Sequence, residues 1–344
     1  MSTWAETDTE TLLEGAVAPM QQHPLYARAV GALGTPTRRF ALYRGDSLLA
    51  TAQIILRPWP LIGRTAYLAR GPVWCSTLPD QRRKQLLSSL LRQLRQEYRA
   101  VLATPDPIGR SDPLSEDGGL AMVSPATLAV LDLAPEPDQL RARLKQKWRN
   151  RLNRAEAVGL FISEDEFRNA PDHWLLRQEA IQARARRYRR LPDAFTLSWA
   201  GLGGASATRL FTASEKKNGP PIAAMLFFRH GAGASYHIGW SGPDGRAAGA
   251  HTLLMWHAML RLREMGVRSL DLDLIDTEGA AGLARFKLGT GAEAVTLGAT
   301  RLSAPLTRLF SGRARAAMSN SPRPRPQMAG PKANARRRCD GHPT

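Results

Sequence analysis

Hydrophobic and polar residues follow two rhythms along this chain, a two-residue alternation typical of strands and a three-to-four-residue spacing typical of helices. The strictest alternation, leucine with aspartate over 270–274, predicts a half-buried strand. Apolar residues at helical spacing over 250–265 predict a helix that ends at Gly266. A β run at 234–240 precedes this helix, and a further helix is predicted over about 279–288.

The same order of elements occurs earlier, roughly 170 residues upstream, which predicts two copies of one supersecondary plan. The earlier elements are a hairpin at 40–56, a strand at 64–74, a helix at 81–98 and a strand at 99–103; their later counterparts are 210–228, 234–241, 250–265 and 268–274. Two αβ domains that are merely alike would give a similar pattern, and both interpretations stay open.

The predicted fold class is α/β (α+β), with two mixed sheets flanked by helices. We expect a degenerate first domain at 1–135, closed by a strand at 127–133, and a second domain at 136–305 that carries the site. The segment 306–344 is rich in Arg, Pro, Ser and Ala and almost without acids, so we expect a disordered tail. Such a tail either contacts anionic membrane or RNA or serves solubility.

Charge points to a polyanionic partner such as a nucleotide, RNA or an acidic membrane surface. The 344 residues include 48 Lys and Arg against 30 Asp and Glu, a formal net charge of +18. Two cysteines are too few for a disulfide framework or a metal site, so no metal is expected. The sequence shows no secretory leader and no apolar run of about 20 residues, so we expect a cytoplasmic protein without a transmembrane segment.

Two basic segments lie between the copies. Over 140–160, apolar residues at four-residue spacing predict one amphipathic helix, surrounded by seven cations: Arg141, Arg143, Lys145, Lys147, Arg149, Arg151 and Arg154. A second run, Arg184, Arg186, Arg187, Arg189 and Arg190, ends before Pro192. Both runs are either solvated faces or sites for carboxylate or phosphate groups.

A Gly-rich turn joins the β run at 234–240 to the helix at 250–265. Because free N–H groups and the positive dipole end meet at a helix N-terminus, this turn is a candidate anion site, to which Arg246 adds a charge. An ordinary tight turn explains the same residues equally well.

The segment resembles the acyl-donor half of a GNAT acyltransferase domain, whose signature is Gln/Arg-x-x-Gly-x-Gly/Ala. Arg246 and Gly249 match this signature, whereas His251 replaces the small last residue. Over 140–303 the chain resembles more closely the FemAB-like branch, with tandem GNAT-type domains. A Tyr-His-x-Gly-Trp-Ser strand, an Asp-Leu-Asp strand and Gly-Leu-x-Arg-Phe-Lys-x-Gly-Thr-Gly-Ala at 282–292 carry this resemblance.

The resemblance implies roles for individual residues. The catalytic candidates are His237, Tyr236 and Lys287. The donor-binding candidates are Ile238, Gly239, Trp240, Arg246, Gly249, Ala250 and His251. The substrate-binding candidates are Lys147, Arg149, Arg154, Arg187, Asp271, Asp273, Arg285 and Phe286. At the position of Arg285, many GNAT enzymes have a tyrosine that acts as the general acid. Asp271 and Asp273 would equally pair with arginines, and Arg285 and Lys287 would equally offset a helix dipole.

The expected function is an N-acyltransferase that moves an acyl group from acyl-CoA, such as acetyl-CoA, directly to the amine of a small molecule or peptide. The resemblance leaves a second donor open, aminoacyl-tRNA, as in FemAB-type enzymes that build peptidoglycan bridges. A third interpretation is a non-catalytic, basic RNA- or membrane-binding protein on a retired acyltransferase fold.

Overall fold

The computed structural model of the protein describes residues 3–10, 16–59, 63–75, 78–117 and 119–304. The predicted tail at 306–344 lies outside the described residues. The first half contains β1 (Trp4–Glu6), α1 (Pro24–Gly31), β2 (Thr37–Arg44), β3 (Ser47–Trp59), β4 (Gly63–Ala69), β5 (Val73–Trp74), α2 (Asp80–Glu97), β6 (Ala100–Thr104), β7 (Leu120–Val123) and β8 (Thr127–Asp132).

The second half repeats this succession with additional helices. It contains α3 (Pro137–Arg143), α4 (Gln146–Val158), β9 (Phe161–Asp165), α5 (Trp174–Arg186), α6 (Asp193–Gly203), β10 (Thr208–Ser214), β11 (Ala223–His230), β12 (Gly233–Ser241), α7 (Pro243–Ala247), α8 (Ala250–Glu264), β13 (Ser269–Leu274), α9 (Ala281–Gly289), β14 (Glu293–Thr296) and β15 (Thr300–Ser303).

The strands form two mixed sheets, as predicted. The first has the order β1-β2-β3-β4-β6-β15-β7, with β5 paired to β3, and the second has the order β14-β8-β13-β12-β11-β10-β9. Corresponding strands occupy corresponding positions, and the single parallel pair, β4–β6 or β12–β13, lies inside each sheet. The predicted repeat is therefore confirmed within the described strands.

The two halves exchange a strand. β8 belongs to the first half of the chain but pairs with β13 and β14 in the second sheet, and β15 pairs with β6 and β7 in the first. The expectation that the strand at 127–133 closes the first unit is therefore wrong. Alternation defines a strand but not its partner, which explains the error. The division of the chain into domains at residue 135 stays a prediction.

Helices cover the sheets and complete three apolar cores. Five leucines of α2 pack on the first sheet. One face of the second sheet packs on α4 and α8, with Trp148 and Leu152 buried. The other face packs on α5 and α6 and also on α1, whose Leu25 joins Phe195 and Trp199 in one cluster. A helix of the first half thus completes a core of the second.

Two predicted elements are divided in the structure. The helix expected over 140–160 is two helices, α3 and α4, because Leu144 has a non-helical ψ of 134° and the N–H of Lys145 bonds to the carbonyl of Gly289 at 2.9 Å. The strand expected over 64–74 is interrupted at 70–72 between β4 and β5. Among the described helices, none has the length and apolar character needed to cross a membrane.

Strand exchange predicts one cooperative unfolding transition for the whole chain, although chains of this length with two sheets often unfold in steps. Neither sheet is complete without a strand of the other half, so loss of one half removes pairing from its neighbour. Differential scanning calorimetry should give a calorimetric enthalpy close to the van't Hoff enthalpy. Two resolved transitions would contradict this expectation.

Candidate functional site

The site begins where the parallel pair β12–β13 separates. Only three residue pairs join the two strands, the last being Ser235 with Asp271, although β12 continues to Ser241. Both strands carry an irregularity at this point. His237 is an extra residue between the pairs Phe227–Tyr236 and Leu226–Ile238, and β13 shifts register against β8 between Asp271 and Leu274. Because bulges bend strands, these irregularities turn the strands apart and create an opening.

The edge of β12 that faces the opening can be assigned from its hydrogen bonds. The N–H of Gly242 bonds to Ile222 in the direction of β11, so the carbonyl of Ser241 in the same trans peptide points to the opposite side. Strand alternation gives Gly239 the same orientation. Side chains already occupy both carbonyls: Gln182 donates to Gly239 O at 2.9 Å, and Arg246 donates to Ser241 O at 2.5 Å. The edge therefore offers N–H donors to a ligand.

Lys287 occupies the opposite side of the opening. The N–H of Ile275 bonds to Thr127 of the β8 segment, so the Leu274 carbonyl of that peptide points away from β8 and toward β12. The Nζ of Lys287 donates to this carbonyl at 2.8 Å. The side chain is 3% exposed, and burial lowers the pKa of its ammonium group. Lys287 thus contacts the end of β13 rather than offsetting the dipole of α9.

The connection from β12 to α8 is a short helix, not the turn expected from its glycines. Gly245 of α7 packs against the carbonyl of Ile222, where a Cβ atom would approach the oxygen to 2.3 Å. Gly249 has φ of +69° and begins α8, and a Cβ there would lie 3.3 Å from the Cβ of Ala155 on α4. Ala250 follows as the buried first residue of α8.

His251 departs from the small residue of the GNAT signature, and its contact explains how the structure tolerates it. Its Nε2 lies 2.8 Å from the carbonyl of Trp240, which alternation directs toward β11 rather than into the opening. Burial lowers the pKa of His251, so the neutral ring donates this hydrogen bond. The imidazole therefore does not occupy the backbone groups of β12 that face the opening.

Tyr236 and Gly239 are fitted to each other. An added Cβ at Gly239 would lie 1.6 Å from the Tyr236 hydroxyl oxygen, so the phenol lies directly against the glycine. The ring packs on Phe227 with centroids 5.6 Å apart. Burial raises the pKa of Tyr236, and the hydroxyl therefore stays protonated and can donate a hydrogen bond.

His237 lies in the bulge but is poorly suited to accept a proton. Its ring stacks on Phe228 with centroids 4.0 Å apart, and Nε2 lies 2.7 Å from the Thr196 hydroxyl. Burial lowers the pKa of His237 to about 3, which makes the imidazole a weak base near neutral pH. The surroundings of this histidine therefore do not favour the role of general base.

Three further candidates are apolar residues near the opening. Ile238 is 3% exposed in the core below α5 and α6, so its side chain cannot contact a ligand. Trp240 meets Trp174 edge to face, with centroids 5.5 Å apart. Phe286 lies between Trp148 at 6.1 Å and His251 at 6.3 Å.

The two aspartates of β13 have different surroundings. Asp271 pairs with Arg70 of the first half, whose Nε also bonds to Asp106 at 2.8 Å, so the interpretation as an arginine partner is confirmed for this residue. Asp273 is exposed and adopts φ of +67°, with its N–H held by Asp271 Oδ1 at 2.7 Å. Arg285 is exposed on α9.

Some cations of the two basic segments form ion pairs with carboxylates in the folded chain. Arg141 forms a bidentate pair with Glu156, and Arg143 pairs with Asp132, so two of the seven cations over 140–160 are neither simply solvated nor free for a ligand. Carboxylates from other elements supply the partners, which the local sequence could not reveal. Arg149 donates to the Leu144 carbonyl at 3.1 Å. The remaining substrate-binding candidates of these segments, Lys147, Arg154 and Arg187, are exposed.

Sequence reasoning missed three polar residues that line the β12 side of the opening: Glu179, Gln182 and Tyr188. Glu179 is 6% exposed, and its carboxylate accepts a hydrogen bond from Tyr188. A signal was present, because Leu175, Glu179 and Ala183 are spaced by four residues and so share the buried face of α5. A carboxylate on an otherwise apolar helix face marks a candidate site.

The equivalent parallel pair in the described part of the first half is closed. There β4 and β6 pair over five residues, from Thr65–Ala100 to Ala69–Thr104. Beyond this pair, the buried Gln22 donates to the Ala69 carbonyl at 2.7 Å and to the Gln53 carbonyl at 3.1 Å. The Gln22 side chain thus occupies the position beyond β4 and β6, and the absence of a donor site from the first copy stays a prediction.

Comparison with known proteins identifies this architecture. The family model described as acetyltransferase (GNAT) domain matches residues 139–294, the part that contains the opening. The crystal structure of FemX superimposes with a TM-score of 0.67 at 16% identity, covering 86% of this chain and 96% of that one. Residues 139–294 therefore match a GNAT acetyltransferase domain, and the chain as a whole shares the fold of FemX.

Weaker structural matches carry no weight for the fold. The C-terminal domain of a putative lysylphosphatidylglycerol synthetase from Agrobacterium fabrum has a TM-score of 0.47 at 17% identity, covering 77% of this chain and 85% of that one. A tandem GNAT protein from the clavulanic acid biosynthesis pathway has 0.44 at 14%, covering 83% and 90%. No curated protein matches the chain in sequence. Within the described residues, no group of His, Cys, Asp and Glu side chains could hold a metal ion.

Replacing Gly239 by alanine should distort the site, because the new methyl group and the Tyr236 hydroxyl cannot share one position. We expect a loss of about 1–3 kcal/mol in the free energy of unfolding, measured with urea. Tyr236→Phe in the same background should restore part of it. Gly282→Ala is the matched control, since nothing lies within 4 Å of its Cβ position. Equal effects of the two alanines would contradict the assigned contact.

Proposed function

We propose that this protein is an N-acyltransferase that binds acyl-CoA in the opening between β12 and β13 and transfers the acyl group directly to an amine. The observation that carries the proposal is the separation of this parallel pair after three residue pairs, beside a helix that begins at Gly249. The equivalent pair of the first half is closed.

The residues around the opening suit the parts of such a donor. No side chain caps α8, and its N-terminus carries the positive end of the helix dipole, which favours phosphate, although the N–H of Thr252 already bonds to the Gly249 carbonyl at 2.9 Å. Arg246 is exposed, and it can exchange its bond to the Ser241 carbonyl for a phosphate oxygen. The N–H groups of Gly239 and Ser241 suit carbonyl oxygens of an extended donor arm. A thioester supplies an acyl carbon already activated for attack.

Direct transfer requires polarisation and proton removal rather than a covalent intermediate. Lys287 supplies a buried positive charge at the wall of the opening, where it would stabilise negative charge on an acyl oxygen. The Tyr236 hydroxyl would supply a neutral donor. Among the described residues, the one cysteine, Cys75, lies beside β5 in the first sheet and not at this opening.

The alternative donor is aminoacyl-tRNA, which the basic surface beside α8 could bind. α4 packs against the first residues of α8 through Ala155, and its exposed face carries Lys147, Arg151 and Arg154. A polyanion longer than coenzyme A could extend from the opening along this face. The likeness to FemX concerns the fold and does not choose between the donors.

Thermal stability with coenzyme A, acetyl-CoA and charged tRNA tests the proposal. A ligand at 100 times its Kd should stabilise the protein by roughly 2.7 kcal/mol. We expect a shift with acetyl-CoA that Arg246→Ala abolishes. Arg92→Ala, which removes an exposed arginine from α2 in the other half, is the matched control and should keep the shift.

The three ligands separate the three functions. A shift with charged tRNA alone would assign the protein to the aminoacyl-tRNA-dependent class, which acts on peptidoglycan precursors in FemAB-type enzymes. Tight, salt-sensitive binding of RNA or anionic vesicles without any turnover would support a non-catalytic protein on a retired fold.

A further inference from the structure

Glu179 is a carboxylate enclosed beside the donor edge, and its burial needs an explanation. It lies on the face of α5 that packs against β12, in a chain with a large excess of cations, yet no described cation forms an ion pair with it. Burying an unpaired carboxylate is costly unless hydrogen bonds support it. Such groups are retained where chemistry requires them.

Hydrogen bonds join Glu179 to the free edge of β12. Gln182, one turn further along α5, places its Nε2 2.9 Å from the Gly239 carbonyl, 3.1 Å from the Tyr188 hydroxyl and 3.5 Å from Glu179 Oε2. The Tyr188 hydroxyl in turn donates to the Glu179 carboxylate. A continuous polar path therefore leads from the backbone of the opening to a buried carboxylate.

The end of α5 aims Tyr188 back at Glu179. Arg187 adopts the left-handed conformation, with φ of 56°, and the N–H of Tyr188 bonds to the Ala183 carbonyl at 3.2 Å, which closes a tight helix-ending turn. A left-handed arginine is unfavourable compared with glycine, so the turn is kept despite its cost. Tyr188 remains 38% exposed, so this path includes a residue that is accessible to solvent.

The charged and titratable groups around Glu179 do not cancel the effect of its burial. Arg186 and Arg190 lie nearby, as do Asp193, Tyr188 and Tyr236, but Arg190 is paired with Asp193 through two hydrogen bonds. Burial is the largest influence and raises the pKa of Glu179. A raised pKa brings a carboxylate closer to the range that suits a general base.

We propose that Tyr188 and Glu179 form the proton exit of the acyl transfer. The ammonium group of the acceptor gives one proton to the Tyr188 oxygen while the Tyr188 proton passes to Glu179. The freed nitrogen lone pair then forms the C–N bond to the acyl carbon. When the C–S bond breaks, the thiolate leaves with the second proton of the nitrogen, and Glu179 later returns its proton to solvent through Tyr188. This inference rests on the proposed function.

Acyl release from acetyl-CoA provides an assay that needs no known acceptor, because water can replace the amine and lose its proton along the same path. Coenzyme A thiol is measured from pH 5 to pH 9 for the full chain and for Glu179→Gln, Tyr188→Phe and Glu116→Gln. Glu116 is an exposed acid of the first half and serves as the matched control. Where charged tRNA is the ligand that stabilises the protein, its deacylation replaces thiol release.

Each variant has its own expected pH profile. The wild-type rate should rise with pH through the pKa of Glu179 and then level off. Glu179→Gln should lower the rate of thiol release roughly 100-fold or more. The fall of the rate at low pH, the acid limb of the profile, should disappear in this variant. Tyr188→Phe, which lacks the relay oxygen, should also lower the rate, and its remaining acid limb should move to higher pH, because in the wild type the hydrogen bond from Tyr188 favours the charged carboxylate. Glu116→Gln should match the wild type.

The outcomes distinguish a failure of the proposed function from a failure of the proton exit alone. If the wild type neither binds nor deacylates either donor, the proposed function fails and this inference fails with it. If the wild type turns over and Glu179→Gln keeps its rate and acid limb, the proton exit is wrong while the function stands. If Glu179→Gln lowers the rate equally at every pH and keeps the acid limb, the proton exit is also wrong, and Glu179 is a positioning residue.

Discussion

The site depends on one interruption in backbone pairing, the separation of β12 from β13 after Ser235 and Asp271. A parallel ladder inside a sheet normally continues, because each unpaired N–H or carbonyl in the interior costs free energy. Here side chains satisfy the freed carbonyls: Gln182 at Gly239, Arg246 at Ser241 and Lys287 at Leu274. The opening is therefore stable without a ligand and keeps its N–H donors available.

The surrounding fold holds the strands in this separated state. β13 is fixed from its other side by β8, a strand from the first half of the chain, and Asp271 is paired with Arg70 of that half. The first copy of the repeat supplies a strand, a helix and an ion pair that shape the second. The first half therefore has a structural role at the site of the second.

Much of this architecture follows from sequence pattern. Alternation and helical spacing located the repeated strands, α2 and α8, and the motif resemblance placed donor-binding candidates on β12. The pattern could not assign β8 and β15 to their sheets, because alternation is the same whichever strand lies beside it. The site was predicted less well. Burial removes Ile238 from the surface and lowers the pKa of His237, and it turns Glu179 from one charge among many arginines into an enclosed carboxylate. Such effects depend on which elements pack together, which local sequence does not reveal.

Hydrogen–deuterium exchange with and without acetyl-CoA tests the central claim most directly. Slower exchange is predicted at the amides of Gly239 and Ser241 and in the first turn of α8, with no change in β4 and β6, where the equivalent pair is closed. Protection of β4 and β6, or binding that leaves the amides of β12 unchanged, would contradict the assignment of this opening as the donor site.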